Sequence, residues 1–265
     1  MDSNGTAEPI AAFSVDALRV LVHADRATMG RAAALGVARA IAERQSASSY
    51  ARIIFAAAPS QNEFLEALSR PGLVDWTRVV GFHMDEYLGI VPEHPASFRR
   101  YLRDRLFTRV ELAEDRLRLI PGEETSQPLR TCLGYEDLLR REPTDIVCAG
   151  IGENGHLAFN DPPVADFLDP LLVKVVRLDR ACREQQVNDG CFATIDDVPT
   201  HAYTLTIPAL LSAPVVSLCV PGPRKADAVT AALRGPIDES CPASVLRRHA
   251  GAILHLDADS ARNLI

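Results

Sequence analysis

The sequence lacks paired cysteine motifs, long apolar runs and blocks of basic residues, and each absence narrows the range of functions. The 6 cysteines show no CxxC spacing, and several fall in apolar runs, which favours buried, reduced thiols over disulfides or a zinc site. No apolar run approaches the length of a membrane span, and residues 1–5 lack the cationic start of a secretion signal. We therefore expect a cytoplasmic protein with no membrane partner and no bound metal.

The charge and length of the chain further limit its possible partners and its domain organisation. The net charge is -7, and no basic stripe is available to neutralise the phosphates of a duplex, so nucleic acid is not expected as a partner. With 265 residues, of which 47% are hydrophobic, the chain can bury a large core. No repeat, low-complexity tract or linker divides it. We expect one domain covering residues 1–265.

Apolar runs alternate with amphipathic or polar segments along most of the chain, which predicts strands alternating with helices. After an irregular lead-in at residues 1–12, the predicted strands are residues 18–22, 51–58, 117–120, 145–149 and 172–178. Further strand or strand-helix units are residues 203–211, 215–220 and 252–256. The predicted helices are residues 24–44, 64–68, 98–106, 132–140 and 180–187. This alternation is typical of an α/β fold with a doubly wound, mostly parallel sheet and helices on both faces, a Rossmann-like arrangement.

The segment from Gly150 to Pro163 has the composition of an active-site loop. It follows the apolar run at residues 145–149 and holds three glycines in its first six residues, which permit backbone angles that a side chain would forbid. Two prolines then fix the direction in which the loop leaves. His156 and Asp161 lie inside this segment. Taken alone, the segment is more typical of a polar turn with a capping histidine.

A second segment, residues 79–89, also runs from apolar to acidic, at Asp85 and Glu86. In an open parallel sheet, ligands bind beyond the carboxyl ends of the strands. Two strands that end in Asp85 and in the loop of His156 can therefore converge on one crevice. This pairing favours an active site over a capped turn.

Two helix starts are candidate anion sites. Ser60 lies where a helix begins after a strand, and unpaired N–H groups at such a start attract anions, although a plain capping serine explains the residue equally well. Lys225 follows the turn at Gly222 and opens a helix that ends at Leu233. A cation at a helix N-terminus opposes the macrodipole, which indicates either a bound anion or simple solvation.

These loops together resemble those of the glucosamine-6-phosphate deaminases, within the glucosamine-6-phosphate isomerase and 6-phosphogluconolactonase superfamily. The resemblance extends over residues 18–257 and rests on three motifs: Met84-Asp85-Glu86-Tyr87, the segment from Gly150 through His156 to Pro162, and the turn from Gly222 to Ala226. It implies that an amino-sugar phosphate is ring-opened, isomerised and deaminated without metal or organic cofactor. Asp85 would move a proton between C1 and C2, His156 would act at the ring oxygen, and Lys225 would hold the phosphate. A homo-oligomer is compatible with this assignment.

The chain also departs from the pattern of that family. Asn154 stands where the family usually has Asp, and Asp161 stands where it has Glu. The loop at residues 57–60 reads Ala-Ala-Pro-Ser rather than Ser/Thr-Gly-Gly-Thr, which leaves only Ser60 as a hydroxyl. Arg183 lies in the region where the family places a second phosphate ligand. We expect Asp161, more than Asn154, to support His156, because only a carboxylate stabilises an imidazolium by charge.

Three other functions stay open at this point. Lactone hydrolysis on the same scaffold would use His156 to activate water and would not need Asp85. A sugar-phosphate sensor without activity is disfavoured, because no helix-turn-helix precedes Leu18 and the net charge is acidic. A metal hydrolase would need His83, Asp85, Glu86 and His156 together, but neighbouring side chains on an extended segment point to opposite faces.

Overall fold

The computed structural model describes residues 8–265 and contains two sheets. The strands are β1 Ala11–Val15, β2 Leu18–His23, β3 Ala51–Phe55, β4 Val79–His83, β5 Asp85–Tyr87, β6 Leu117–Arg118, β7 Ile146–Ala149, β8 Val173–Arg177, β9 His201–Leu205, β10 Val215–Val220 and β11 Ala252–Asp257. The helices are α1 Arg26–Ala47, α2 Asn62–Leu68, α3 Phe98–Leu102, α4 Pro128–Arg141, α5 Arg180–Asn188, α6 Ile207–Leu210 and α7 Ala226–Arg234.

The larger sheet has eight strands in the order β1-β2-β11-β10-β7-β3-β4-β6. Only the β1 and β2 pair at its edge is antiparallel, and the other neighbours run parallel. Parallel neighbours need crossover connections, which the helices between the strands supply. This arrangement confirms the predicted α/β fold with a mostly parallel sheet.

Helices cover both faces of this sheet, as alternating side chains of its central strands show. Ile54 of β3 belongs to one buried apolar cluster, and its neighbour Ile53 belongs to the other. Successive side chains of a strand point to opposite faces, so the two clusters lie on opposite sides of the sheet. Helices α1 and α2 pack into the cluster of Ile53, whereas α4 and α7 pack into the cluster of Ile54. Within residues 8–265, no helix combines the length and apolar composition needed to span a bilayer.

The smaller sheet was not predicted. It is antiparallel, in the order β5-β9-β8, and pairs Asp85 with Thr204 and Glu86 with Tyr203. The prediction that residues 172–178 and the strand part of 203–211 extend the parallel sheet is therefore wrong. Asp85 is likewise the first residue of a short strand, not part of a loop after β4. Pairing between segments more than 100 positions apart leaves no local pattern in the sequence.

The N-terminal prediction also needs correction. Residues 11 and 12, predicted as irregular, open strand β1, in which Ala11, Phe13 and Val15 pack against the core while the intervening residues are exposed. Such alternation is typical of an edge strand with one buried face. The absence of a cationic start concerns residues 1–5, which lie outside the described residues.

Candidate active site

A cavity of about 280 Å³ opens beyond the carboxyl ends of the parallel strands. Its walls come from the segments that follow β3, β4, β7 and β10, and they include residues 56–60, 84–85, 150–152 and 221–225. This is the position at which ligands bind in open α/β sheets. Asp85, His156, Ser60 and Lys225 all line this one cavity, as their positions after strands predicted.

Asp85 presents its carboxylate to the cavity from the start of β5. The residue is buried, and burial raises its pKa well above the ordinary value of 3.8; the negative charge of Glu86 raises it further. Within residues 8–265, no hydrogen bond opposes this rise in pKa. A carboxylate without a protein partner, aimed at a cavity, is suited to exchange a proton with a ligand.

Glu86 is adjacent to Asp85 but faces away from the cavity. Its carboxylate accepts hydrogen bonds from Ser97 Oγ at 2.8 Å, from the backbone N–H groups of Phe98 and Arg99 at 3.1 Å each, and from Arg99 Nε at 3.3 Å. Burial raises the pKa of Glu86, although these donors oppose the rise. Because successive side chains of β5 point to opposite faces, Asp85 faces the cavity and Glu86 binds the start of α3.

His156 is held by two other residues of its loop. Its Nδ1 lies 2.9 Å from Asp161 Oδ1, and Asn154 Nδ2 donates to the same oxygen at 2.9 Å. The Asn154 side-chain oxygen in turn accepts the backbone N–H of His156 at 3.1 Å. Asp161 and Asn154 do not line the cavity, so they act on a ligand through His156. Asp161 stands in the supporting position that its place before the two prolines predicted.

The charge of Asp161 is consistent with this support. Burial by itself would raise the pKa of Asp161. The hydrogen bond and charge of His156, together with the Asn154 amide, outweigh burial and bring the pKa below its ordinary value of 3.8. The carboxylate is thus ionised at neutral pH, where it can orient the imidazole and stabilise its protonated form.

Two glycines allow the loop to close around His156. A Cβ on Gly152 would lie 2.2 Å from His156 Cε1, so any side chain there would displace the imidazole. Gly155 has φ of +85°, a conformation that other residues rarely adopt. The glycines that suggested an active-site loop are therefore needed for the placement of His156.

Lys225 and Ser60 both line the cavity, the first with an ammonium group and the second with a hydroxyl. Lys225 is the last residue of a short 3-10 turn, Pro223–Lys225, directly before α7. Burial lowers the pKa of Lys225, and the charges of Asp189 and Glu153 partly counter this effect. The Ser60 hydroxyl accepts a hydrogen bond from Gln61 at 3.0 Å and still lines the cavity.

Two arginines that were missed in the sequence also line the cavity. Arg26 opens α1 and forms an ion pair with Glu63 at 2.9 Å. Arg224 precedes Lys225 and bridges Glu153, at 3.2 Å, and Asp189, at 2.6 Å. The sequence could have indicated Arg26, because this residue begins the helix after β2 and helix starts after strands were considered as anion sites. Both arginines add positive charge to the lining of the cavity, which also includes Lys225.

Arg183 lies elsewhere. It lines a separate surface cleft, and its guanidinium donates to the backbone carbonyls of Ile195 and Val198. Helix α5 presents Gln185 and Gln186 to the cavity instead. The structure therefore does not bring Arg183 to the cavity, because the helix turns its side chain towards the loop at residues 195–198.

Among the described residues, the four considered for a metal hydrolase, His83, Asp85, Glu86 and His156, do not form one cluster of metal ligands. His83 is fully buried at the end of β4, where its ring lies 6.4 Å from that of Tyr135, and Glu86 is held by α3. Among the described residues, a different group brings its nitrogen, oxygen and sulfur atoms within 4.8 Å of one another: His156, Asp161 and Cys182. All three are buried.

The family of this chain follows from comparison with known proteins. The profile described as glucosamine-6-phosphate isomerases/6-phosphogluconolactonase matches residues 24–164. The glucosamine-6-phosphate deaminase of Listeria welshimeri is 36% identical over 188 residues, covering 71% of this chain and 77% of that protein. The chain belongs to this family. The Exiguobacterium sp. glucosamine-6-phosphate deaminase is 37% identical over 188 residues, covering 71% of each chain.

Solved structures of the family share the whole fold. A monomeric glucosamine-6-phosphate deaminase superposes with a TM-score of 0.84 at 28% identity, over 92% of this chain and 98% of that one. A 6-phosphogluconolactonase from Thermotoga maritima superposes with a TM-score of 0.74 at 17% identity, over 91% and 99%, which shows the fold alone. Proteins named glucosamine-6-phosphate deaminase and 6-phosphogluconolactonase therefore share this fold, so the fold alone does not decide between the two functions.

Proposed function

We propose that this protein converts glucosamine 6-phosphate, or a close epimer, to the corresponding ketose 6-phosphate and ammonia. The observation that carries the proposal is that Asp85, His156 and Lys225 line one cavity. The names of its relatives at 36% and 37% identity support the same reaction. Aldose-ketose isomerisation needs a group that moves a proton between neighbouring carbons, and Asp85 is a carboxylate free to do so.

Ring opening is assigned to His156. The C1–O5 bond breaks, the ring oxygen O5 gains a proton, the C1 hydroxyl loses one, and an aldehyde forms at C1. An imidazole held through Nδ1 by Asp161 keeps its other nitrogen, Nε2, for the substrate. The ionised Asp161 stabilises the imidazolium that forms when His156 takes up a proton between these steps.

Isomerisation and deamination are assigned to Asp85. Its carboxylate removes the proton from C2 while the C1 oxygen gains a proton, which gives an enolamine. It then returns the C2 proton to C1 while the amino group loses a proton, which gives a ketimine. Water then adds to the C2=N bond, and ammonia leaves as the ketone forms, so one water is consumed for each ammonia released. A carboxyl group whose pKa is raised by burial retains the proton between the two carbon atoms better than an ordinary aspartate does.

We assign binding of the phosphate group to the positively charged and hydroxyl side chains that line the cavity. Lys225 supplies an ammonium and Ser60 a hydroxyl, while Pro59 has no N–H to donate. Arg224 and Arg26 add charge, although each is already paired with carboxylates. We infer that Lys225 makes the principal contact, because the described residues provide it with no hydrogen-bond partner.

Lactone hydrolysis is the second candidate, since the family includes 6-phosphogluconolactonases and His156 alone could activate water. The observation against it is Asp85, because hydrolysis of a lactone does not require proton transfer between carbon atoms. A sensor without activity has no need of Asp85 either. A cytoplasmic location and a possible homo-oligomer stay predictions.

One panel of assays tests the proposal. Ammonia release is measured from glucosamine 6-phosphate and from galactosamine 6-phosphate, beside hydrolysis of 6-phosphogluconolactone. We expect ammonia from at least one of the amino sugars and no lactone hydrolysis above the rate without enzyme. Lactone hydrolysis without ammonia would replace the proposed function by the second candidate.

A further inference from the structure

Only one of the two carboxylate oxygens of Asp161 takes part in the contacts described above. Its Oδ1 lies 2.9 Å from His156 Nδ1 and accepts a hydrogen bond from the Asn154 amide at 2.9 Å. Its Oδ2 is buried and has no hydrogen-bond partner with good geometry among residues 8–265. A buried carboxylate oxygen without a donor is costly, and such an oxygen indicates that a further group contributes.

Cys182 is the residue placed to supply that donor. Its sulfur, a carboxylate oxygen of Asp161 and a ring nitrogen of His156 all lie within 4.8 Å of one another. Cys182 is 1% exposed and stands near the start of α5, where its backbone N–H donates to the capping Asp179 at 2.6 Å. The same helix lines the cavity with Gln185 and Gln186, so the position of Cys182 is tied to the cavity wall.

The thiol of Cys182 is in the form that donates. Burial raises its pKa well above the ordinary value, and the negative charges of Asp161 and Asp179 raise it further. The thiol therefore keeps its proton at neutral pH and is neither a nucleophile nor a thiolate ligand. A hydrogen bond from this thiol would act with His156 and Asn154 to lower the pKa of Asp161.

We propose that Cys182 is a positioning residue, whose thiol donates a hydrogen bond to Oδ2 of Asp161 and so holds the carboxylate in the orientation that serves His156. With both oxygens engaged, the carboxylate plane is fixed relative to the imidazole. The proposal rests on the proposed function where it predicts turnover. The contact itself is independent of the substrate and can be measured without it.

The test compares Cys182→Ala, which removes the donor, with Cys182→Ser, which retains a donor. Cys132→Ala is the matched control, because Cys132 is a buried thiol on α4 that does not line the cavity. Two quantities are measured for each variant: kcat and KM for ammonia release, and the pH titration of the Asp161 carboxyl carbon by NMR. The Asp161 signal is assigned by its loss in Asp161→Asn. If Cys182→Ala does not fold, Cys182→Val, which fills the space without a donor, replaces it.

We expect Cys182→Ala to lower kcat about three- to tenfold with little change in KM, which is the loss that one weak hydrogen bond produces. The Asp161 pKa should rise in the same variant, because a donor to the charged form has been removed. Cys182→Ser should recover most of both changes, and Cys132→Ala should show neither.

An unchanged kcat and carboxyl titration in Cys182→Ala would overturn the proposal. A serine variant that matches the alanine variant in both measurements would do the same, because the donor would then be irrelevant. If the unmodified protein releases no ammonia, the proposed function fails. The carboxyl titration then decides the role of Cys182 alone.

Discussion

Asp161 Oδ1 lies 2.9 Å from Nδ1 of His156, and this contact joins two residues of one loop that are five positions apart. The same oxygen accepts the Asn154 amide. The family that this chain resembles usually has an acidic residue at both supporting positions. Here the support consists of one charge, on Asp161, and one amide, on Asn154, so the two residues are expected to contribute unequally.

The first prediction compares those two residues. Asp161→Asn should lower kcat by about tenfold or more relative to Asn154→Ala, which corresponds to ~1.4 kcal/mol of barrier. Asparagine keeps the shape of the aspartate but cannot stabilise a charged imidazole, whereas Asn154→Ala removes two hydrogen bonds and leaves the charge on Asp161 in place. Steady-state ammonia release by both variants measures the difference. A larger loss in Asn154→Ala would mean that the charge on Asp161 is not required.

The second prediction concerns Asp85. Asp85→Asn should abolish ammonia release and leave binding of glucosamine 6-phosphate nearly unchanged, because an amide cannot accept the C2 proton but fills the same space. Calorimetric titration measures the binding, and a coupled assay measures the ammonia. Turnover close to that of the unmodified protein would remove Asp85 from the mechanism.

Asp85 should also make the protein less stable at neutral pH, which is the third prediction. Its folded-state pKa is raised above 3.8, so the folded state binds more protons than the unfolded state, and stability falls as pH rises above that value. Asp85→Asn removes this dependence. The variant should therefore unfold at a higher temperature than the unmodified protein at neutral pH.

That difference in unfolding temperature should shrink as pH falls from the raised folded-state pKa towards 3.8, and it should vanish below 3.8, where the aspartate is protonated in both states. Thermal unfolding of both proteins across the pH range gives the comparison. A difference that does not vary with pH would show that burial does not raise the pKa of Asp85.

The fourth prediction concerns Lys225. Lys225→Ala should weaken binding of glucosamine 6-phosphate by about 1 to 3 kcal/mol, the range for a charge-assisted contact. The only other lysine of the sequence, Lys174, provides the control, because it pairs with Asp169 at 2.8 Å and does not line the cavity. The loss should shrink for glucosamine without phosphate. An equal loss for both sugars would assign Lys225 a structural role.

The fifth prediction is that a chelator leaves ammonia release unchanged. Every assigned step is a proton transfer or an addition of water, and Asp161, one member of the buried group of His156, Asp161 and Cys182, is already engaged by protein donors. The assay is run after dialysis against EDTA. Activity that is lost on dialysis and restored by a divalent ion would contradict the assigned chemistry.

Local patterns in the sequence were enough to find most of the candidate site. Apolar runs that end in polar residues placed Asp85 and His156 at the carboxyl edge of the sheet, since strand ends and their loops are encoded within a few positions. Glycine spacing predicted the loop of His156, and Gly152 is needed there because a side chain would meet the imidazole. The expectation that Asp161 supports His156 also used only residues of the same loop.

The tertiary structure determined the rest, because it depends on contacts between distant segments. Strand β5 exists only through its pairing with β9, more than 100 positions away, and this pairing turns Asp85 towards the cavity and Glu86 towards α3. Arg183 falls outside the cavity and Arg224 inside it because of how α5 and the turn before α7 are rotated. The rotation of α5 also brings the Cys182 sulfur within 4.8 Å of a carboxylate oxygen of Asp161. Which face a side chain presents depends on what packs against it, and no local pattern records that.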